Sequence, residues 1–277
     1  MKRICAITMA RNDTFFLKKW VAYYGSRLGE ENLFIFLDGK DQSLPGYEGP
    51  AHIQAVERAE GQVVASDKRR IRFLSARQAE LFEHYDLVIG TDADEFLVVD
   101  PRLGKSLREY LSEADVDVSV SGLGLDVGQH LPDEGPVDAS RPFLEQRHYA
   151  VVSTRYTKAS VVSRPVRWGC GFHRVKGHNF HIDPNLYLFH FGYFDEGMIH
   201  ARFTDQDRLG SGWSRHIAKR TRTIRQVSTL PARPADAYWP LARWIQTLFR
   251  PVYALNKPAM LGIKWVVKIP ERFAKVV

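Results

Sequence analysis

The sequence predicts an α/β protein. It should have a mostly parallel sheet flanked by helices, a mixed sheet extension and a basic helical C-terminal segment. Three observations predict this. Short β-branched and aromatic runs alternate with amphipathic helical stretches through residues 4–114, the pattern of a parallel sheet covered on both faces. Three of the apolar runs stop abruptly at polar residues: Arg11-Asn12-Asp13, Asp38, and Asp92 with Asp94. The charge is also unevenly divided. Residues 1–200 hold 24 Lys/Arg against 28 Asp/Glu, and residues 201–277 hold 15 against 4, so the basic character belongs to the tail.

The elements follow in order. Ile4 to Met9 is a β-branched strand that breaks at Arg11-Asn12-Asp13. "DTFFLKKWVAYYGSRLG" is a helix, with Asp13 or Thr14 as the cap, Phe16, Trp20, Val21 and Tyr24 at helical spacing, and Gly29 as the stop. "NLFIFLDG" is a buried strand ending in Asp38, and "HIQAVE" is a third strand. "SDKRRIRFLSARQAELFEHY" is a long helix with Ser66 and Asp67 as cap candidates. "DLVIGTDADEFL" reads as one strand, and "SLREYLSEA" as the helix after it. From Val116 to Asn185 the pattern changes. "DVSVSGLGLDVG" and "YAVVSTRYTKASVV" read as strands of an antiparallel or mixed extension, and "NLYLFHFGYFD" as a strand running out into His190.

A 44% hydrophobic content with 16 Phe over 277 residues is enough for a real core. The two cysteines, Cys5 and Cys170, form neither a disulfide framework nor a clustered zinc site, which fits a reducing compartment. Met1–Arg3 leads straight into strand, so no leader peptide is expected. No apolar run reaches the length of about 18 residues needed to span a bilayer. The expected location is cytoplasmic.

Asp92 and Asp94 are two apart, and in a strand such residues share a side. Paired carboxylates at a strand tip would repel, and a divalent cation relieves that. Hard oxygen ligands suit Mn2+ or Mg2+, whose remaining positions take substrate phosphates. The plain alternative is a solvated acidic turn. In an open α/β sheet, however, ligands bind beyond the carboxyl ends of the strands, where these acids are expected.

Asn12-Asp13, Trp20 with Tyr23-Tyr24 and Leu28-Gly29, Asp38, and Asp92-Ala93-Asp94-Glu95-Phe96 together resemble glycosyltransferases of the GT-A fold. More narrowly they resemble the family 2-like and family 92-like bacterial enzymes. The resemblance covers residues 1 to about 100 well, is looser to about 200 and is absent beyond. It implies a GT-A-like nucleotide-sugar and acceptor domain over residues 1–200, and a basic, aromatic-rich helical tail over 201–277. It implies a hexosyltransferase-type reaction from a UDP- or GDP-sugar to a glycan or lipid-linked acceptor, as in polysaccharide biosynthesis. By the same resemblance Arg11, Asn12, Asp13 and Asp38 would hold the base and ribose, and Asp92 and Asp94 the metal on the diphosphate. Asp13 is shorter than the Glu common at that position, and a helix cap is its plain alternative.

Four histidines, His173, His178, His181 and His190, follow in close succession. His190 ends a strand and is the candidate third metal ligand, with His173 next; packing or surface histidines are the alternative. Lys68, Arg69, Arg72 and Arg77 are candidates for the diphosphate, Arg77 by the family layout, against an ordinary basic helix face. An inverting reaction needs a carboxylate base. Asp126 is the leading candidate by position, with Glu95 and Asp195 behind it.

In the tail, Trp239, Trp244, Phe249, Trp265 and Phe273 interleave with Arg243, Arg250, Lys264, Lys268 and Lys275. Such a mixture fits an anionic membrane surface, peripheral on the inner face of the cell membrane. It also fits an amphipathic tail packed on the core. Nucleic acid is disfavoured by the mildly acidic core. Two other functions compete with sugar transfer: a metal-dependent phosphohydrolase, and a non-catalytic membrane-associated scaffold with a degenerate site. Glu95-Phe96-Leu97 after the second Asp departs from the haloacid-dehalogenase pattern of Thr or Val there.

Overall fold

The computed structural model of the chain describes residues 1–58, 63–203 and 222–277. Residues 204–221 of the expected tail lie outside the described residues. The fold is α/β, as expected. Strands β1 (Ile4–Ala10), β2 (Leu33–Asp38), β3 (His52–Val56) and β4 (Leu87–Gly90) pair in parallel in the order β3-β2-β1-β4. Their carboxyl ends therefore share one edge.

The alternation of side chains builds two cores. On β1, Ile4 and Ala6 face one side with Leu33, Ile35, Leu87 and Ile89. Cys5, Ile7 and Met9 face the other with Phe36 and Val88. Helix α1 (Thr14–Leu28) covers the first face through Phe16, Leu17, Trp20, Val21 and Tyr24. Helix α2 (Val63–Leu81) covers the second through Ile71 and Leu74. Asp13 occupies the N-cap position of α1, but its side chain does not cap the helix. Ser66 and Asp67 lie inside α2, not ahead of it.

Beyond β4 the sheet turns mixed. Strand β5 (Glu95–Val99) pairs antiparallel with β9 (Ile182–His190). Strand β6 (Ser119–Val127) runs parallel to β9 and antiparallel to β7 (Tyr149–Val152) and β8 (Val161–Val162), and β8 joins the extension to β4. Helix α3 (Leu107–Glu113) starts at a capping box in which Ser106 and Glu109 satisfy each other's backbone N–H.

The C-terminal segment is not only helical. Helix α4 (Glu196–Phe203) is followed, within the described residues, by α5 (Arg222–Thr229) and α6 (Ala235–Leu248). Short strands β10 (Ala232–Pro234) and β11 (Val266–Lys268) then extend the sheet past β7. Trp239, Ile245 and Phe273 join the same core cluster as Trp20 and Phe96, so this part of the tail packs on the sheet. Among the described residues no helix is long and apolar enough to cross a membrane.

Candidate active site

The stretch expected as one strand, "DLVIGTDADEFL", is two. β4 ends at Gly90, the chain turns at Ala93-Asp94, and β5 begins at Glu95 with a different partner. The strand rule for residues two apart does not apply across a turn.

Helix α1 explains why the aromatic pattern accompanies the acids. Trp20 Nε1 donates to Thr91 Oγ1 at 2.9 Å, Tyr23 OH donates to Leu97 O at 2.8 Å, and Tyr24 OH accepts from Leu97 N at 2.9 Å. Tyr23 meets the Phe96 ring edge-on at 5.2 Å. All four aromatic side chains are buried. The W-x-x-Y-Y spacing thus puts three hydrogen-bonding aromatics on the helix face that clamps the acidic turn and the start of β5.

Both carboxylate oxygens of Asp92 meet side-chain cations. Arg70 Nη2 donates to its Oδ1, and Lys158 Nζ donates to its Oδ2 at 2.7 Å. Lys158, 2% exposed, also lies 2.5 Å from Glu95 Oε1. Burial works to raise the Asp92 pKa, but Lys158 and Arg70 outweigh it and hold the carboxyl well below its usual range. Lys158 is itself pushed up: burial disfavours its charge, but Asp92 and Glu95 more than compensate. Glu95, 1% exposed, goes the other way, to about 7, because burial dominates and Lys158 offsets it only in part.

Among the described residues, Asp94, Glu95 and His190 have metal-ligand spacing, their ligand atoms all lying within 4.8 Å of one another. Strand register assembles it. Glu95 on β5 pairs with His190 on β9, and His190 pairs with Asp126 on β6. Laterally paired residues point to the same face, so this row brings together three candidate side chains from distant parts of the chain. Asp126 Oδ1 accepts from His190 Nδ1 at 2.7 Å, and Thr223 Oγ1 donates to Asp126 Oδ2 at 2.6 Å. Tyr156 stacks on the imidazole at 3.8 Å and 14°. The ring is thereby fixed with Nε2 turned to Asp94, 3.6 Å from Oδ2. A Cβ added at Gly192 would come within 2.5 Å of Asp94 Oδ2 and 2.6 Å of His190 Nε2. The glycine keeps that space open between two would-be ligands.

Two carboxylates and one imidazole fit Mn2+ better than Mg2+. The second row, Asp126 on His190, is the arrangement that sets the tautomer of a metal-binding histidine. Asp126 is hydrogen-bonded to His190 and Thr223. Asp195 is likewise engaged, in a buried ion pair with Arg147 at 2.8 Å and with the backbone N–H of Val137 and Met198.

The other expected residues separate into two groups. Arg11 and Asn12 lie where expected, past the end of β1. Arg11 grips Asp41 through two hydrogen bonds of 2.9 Å and the Asp38 carbonyl at 2.9 Å, while the Asn12 N–H donates to Gln42 Oε1. Asp13 and Asp38 share this edge with the acidic turn. Arg77 does not. It pairs with Glu80 and lines a cavity of about 350 Å³ with Phe34, His52 and Gln54, at the amino ends of β2 and β3. Arg70, two turns earlier on the same helix, is the arginine that reaches the acidic turn, through Asp92. His173 packs near Lys158, its Nδ1 enclosed without a partner and its pKa pushed down by burial, whereas His178 and His181 are exposed.

No protein-family model and no curated protein matches the chain. Among solved structures, it is similar to a mannosyltransferase from Pyrobaculum calidifontis in complex with GDP-Man and Mn2+. That match has 12% identity and a TM-score of 0.38, over 78% of this chain and 64% of that one. A glycosyltransferase involved in glycosylating the major capsid of PBCV-1 matches at 14% identity and a TM-score of 0.26, over 43% and 50% of the two chains. A mannose-1-phosphate geranyltransferase from Thermus thermophilus matches at 10% identity and a TM-score of 0.32, over 83% and 65%. The chain thus spans about two thirds of the first of these proteins and half of the second. All these overlaps have TM-scores below 0.5, so any functional assignment is carried by the chain's own residues.

Proposed function

We propose that the chain is a glycosyltransferase that moves a sugar from a UDP- or GDP-sugar to a glycan or lipid-linked acceptor with the help of Mn2+ or Mg2+. One observation carries the reading. The Asp94–Glu95–His190 cluster stands at the carboxyl edge of a parallel sheet, beside the polar ends of β1 and β2. That edge is where open α/β sheets bind nucleotides.

Asp94, Glu95 and His190 would hold the cation. Bound there, it would supply positive charge to the donor's diphosphate. Arg70 and Lys158 keep Asp92 ionised and set two fixed cations at the strand tip, where a departing diphosphate gains negative charge. The Arg11–Asp41 pair, Asn12, Asp13 and Asp38 form the floor on which a nucleoside would lie. No carboxylate is assigned as base: Asp126 is committed to His190, and Glu95 to the cation cluster.

A second reading has its own support. Both oxygens of Asp92 are already taken by cations. Arg70 and Lys158 could then stabilise the diphosphate alone, in a metal-independent transferase.

Thermal melting with a nucleotide panel separates these readings. Stabilisation by UDP or GDP that needs Mn2+ and is lost in Asp94→Ala supports the metal-dependent enzyme. Equal stabilisation without Mn2+ supports the second reading. Phosphate release from simple esters would mark a phosphohydrolase instead, and no response to any nucleotide a scaffold.

A further inference from the structure

Helix α6 is apolar on two opposite sides. Trp239, Ala242 and Ile245 face the core, as amphipathic packing requires. Leu241, Trp244 and Leu248, spaced i, i+3, i+7, face outward, with Trp244 60% exposed. The chain after the helix continues this surface. Val252, Tyr253 and Leu255 are exposed, the last two at 79% each. The segment folds back on the end of α6 through Ala259 N to Phe249 O at 3.1 Å and the contact of Gln246 with Met260 Sδ at 3.3 Å. The exposed apolar side chains therefore belong to one stretch, the outer face of α6 and the segment that folds back on its end. A protein in water rarely leaves so many large apolar groups together without a partner.

The charge around them selects the partner. Residues 237–270 carry five Lys/Arg and no Asp or Glu. A second copy of the chain would bring this patch against itself across a two-fold axis. With no acid to answer Arg250, Lys257 or Lys264, such an interface would bring cation to cation. An anionic lipid surface answers both features, taking Trp and Leu into the headgroup boundary and Lys and Arg onto its phosphates.

We propose that the outer face of α6 and the 249–263 segment lie in the plane of an anionic bilayer. This holds whether or not the site transfers sugar. The same segment is tied to the site. Asn256 donates to Val175 O at 2.7 Å and accepts from Arg174 at 3.1 Å. The 170–175 loop packs on α2, where the Arg70 guanidinium sits over the Phe172 ring at 5.7 Å while holding Asp92. A short run of contacts therefore links the lipid-facing end to the acidic turn.

Co-sedimentation with vesicles tests the proposal. The full chain should bind phosphatidylcholine vesicles containing phosphatidylglycerol, bind pure phosphatidylcholine at least about tenfold more weakly, and lose binding as salt screens the charges. Trp244→Ser with Leu248→Ser should weaken binding by about tenfold or more at an unchanged melting temperature, because both side chains point away from the core. Lys264→Gln should weaken only the anionic preference. Absence of binding to any vesicle, or binding unaffected by the paired serines, overturns the proposal. So does a concentration-dependent dimer that the serines dissolve, which would make the face a contact between copies.

Discussion

Replacing Asp126 by Asn removes the negative charge that faces the Nδ1 edge of His190 while keeping the side chain's shape. In the wild type that carboxylate accepts from Nδ1 at 2.7 Å and from Thr223 at 2.6 Å, in a row only 3% exposed at His190. The amide can turn Oδ1 to the imidazole and Nδ2 to Thr223 Oγ1, so the fold should lose no more than about 1 kcal/mol. The effect on a bound cation should be larger. Losing a carboxylate behind a metal-binding histidine typically costs about 10–100-fold in affinity, or roughly 1.4–2.8 kcal/mol. Mn2+ titration by calorimetry or by the paramagnetic signal of the free ion measures it. Because Asp126 acts through His190, its effect should vanish in a His190→Gln background. Wild-type Mn2+ affinity in Asp126→Asn, or a loss that persists undiminished beside His190→Gln, would refute the proposed role of the row.

Three further outcomes are expected. Gly192→Ala places a Cβ between Asp94 and a histidine clamped by Asp126 and Tyr156, so Mn2+ affinity should fall about tenfold or more while the circular dichroism spectrum stays native. Lys158→Met leaves Asp92 and Glu95 short of a buried cation and should destabilise the metal-free protein by about 3–5 kcal/mol. Mn2+ should then raise the melting temperature more in the variant than in the wild type, and an equal rise would count against a cation among these acids. Asp100, buried at the end of β5, receives Arg272 at 2.9 Å and Arg102 at 2.7 Å, which outweigh its burial and lower its pKa. Its stabilisation is therefore complete above the unfolded value of about 3.9 and lost as pH falls through the lower folded value. Arg272→Met should cost about 3 kcal/mol at neutral pH, and denaturant titrations should show that cost shrinking below about pH 4.

Local pattern carried much of the fold. The β-branched runs placed β1, β2 and β3, and helical spacing placed α1 and its Gly29 stop. It failed where geometry depends on partners far along the chain. "TDADEF" looks like the tip of one strand, because nothing local shows that β5 leaves β4 to pair with β9. Glu95, Asp126 and His190 were each visible as candidates, but their meeting needs the register of three strands that are not consecutive. Lys158 lies beside a β-branched run, where one lysine does not declare itself buried. Arg70 left a fainter signal: it shares a helix face with Asp67, Ile71, Leu74 and Gln78, the inward side of a basic run. Arg77 lies on that face too, which is why spacing alone did not separate them. In the tail the aromatics divide by side, Trp239 inward and Trp244 outward, and alternation of Trp with Arg cannot show which is which.

Crystals grown with MnCl2 and UDP or GDP, measured at the manganese absorption edge, show whether Asp94, Glu95 and His190 bind the cation. One anomalous peak is expected, bounded by Asp94, Glu95 and His190, with diphosphate oxygens completing its coordination. A nucleotide bound with no such peak, its diphosphate resting on Arg70 and Lys158, would contradict a cation held by these residues.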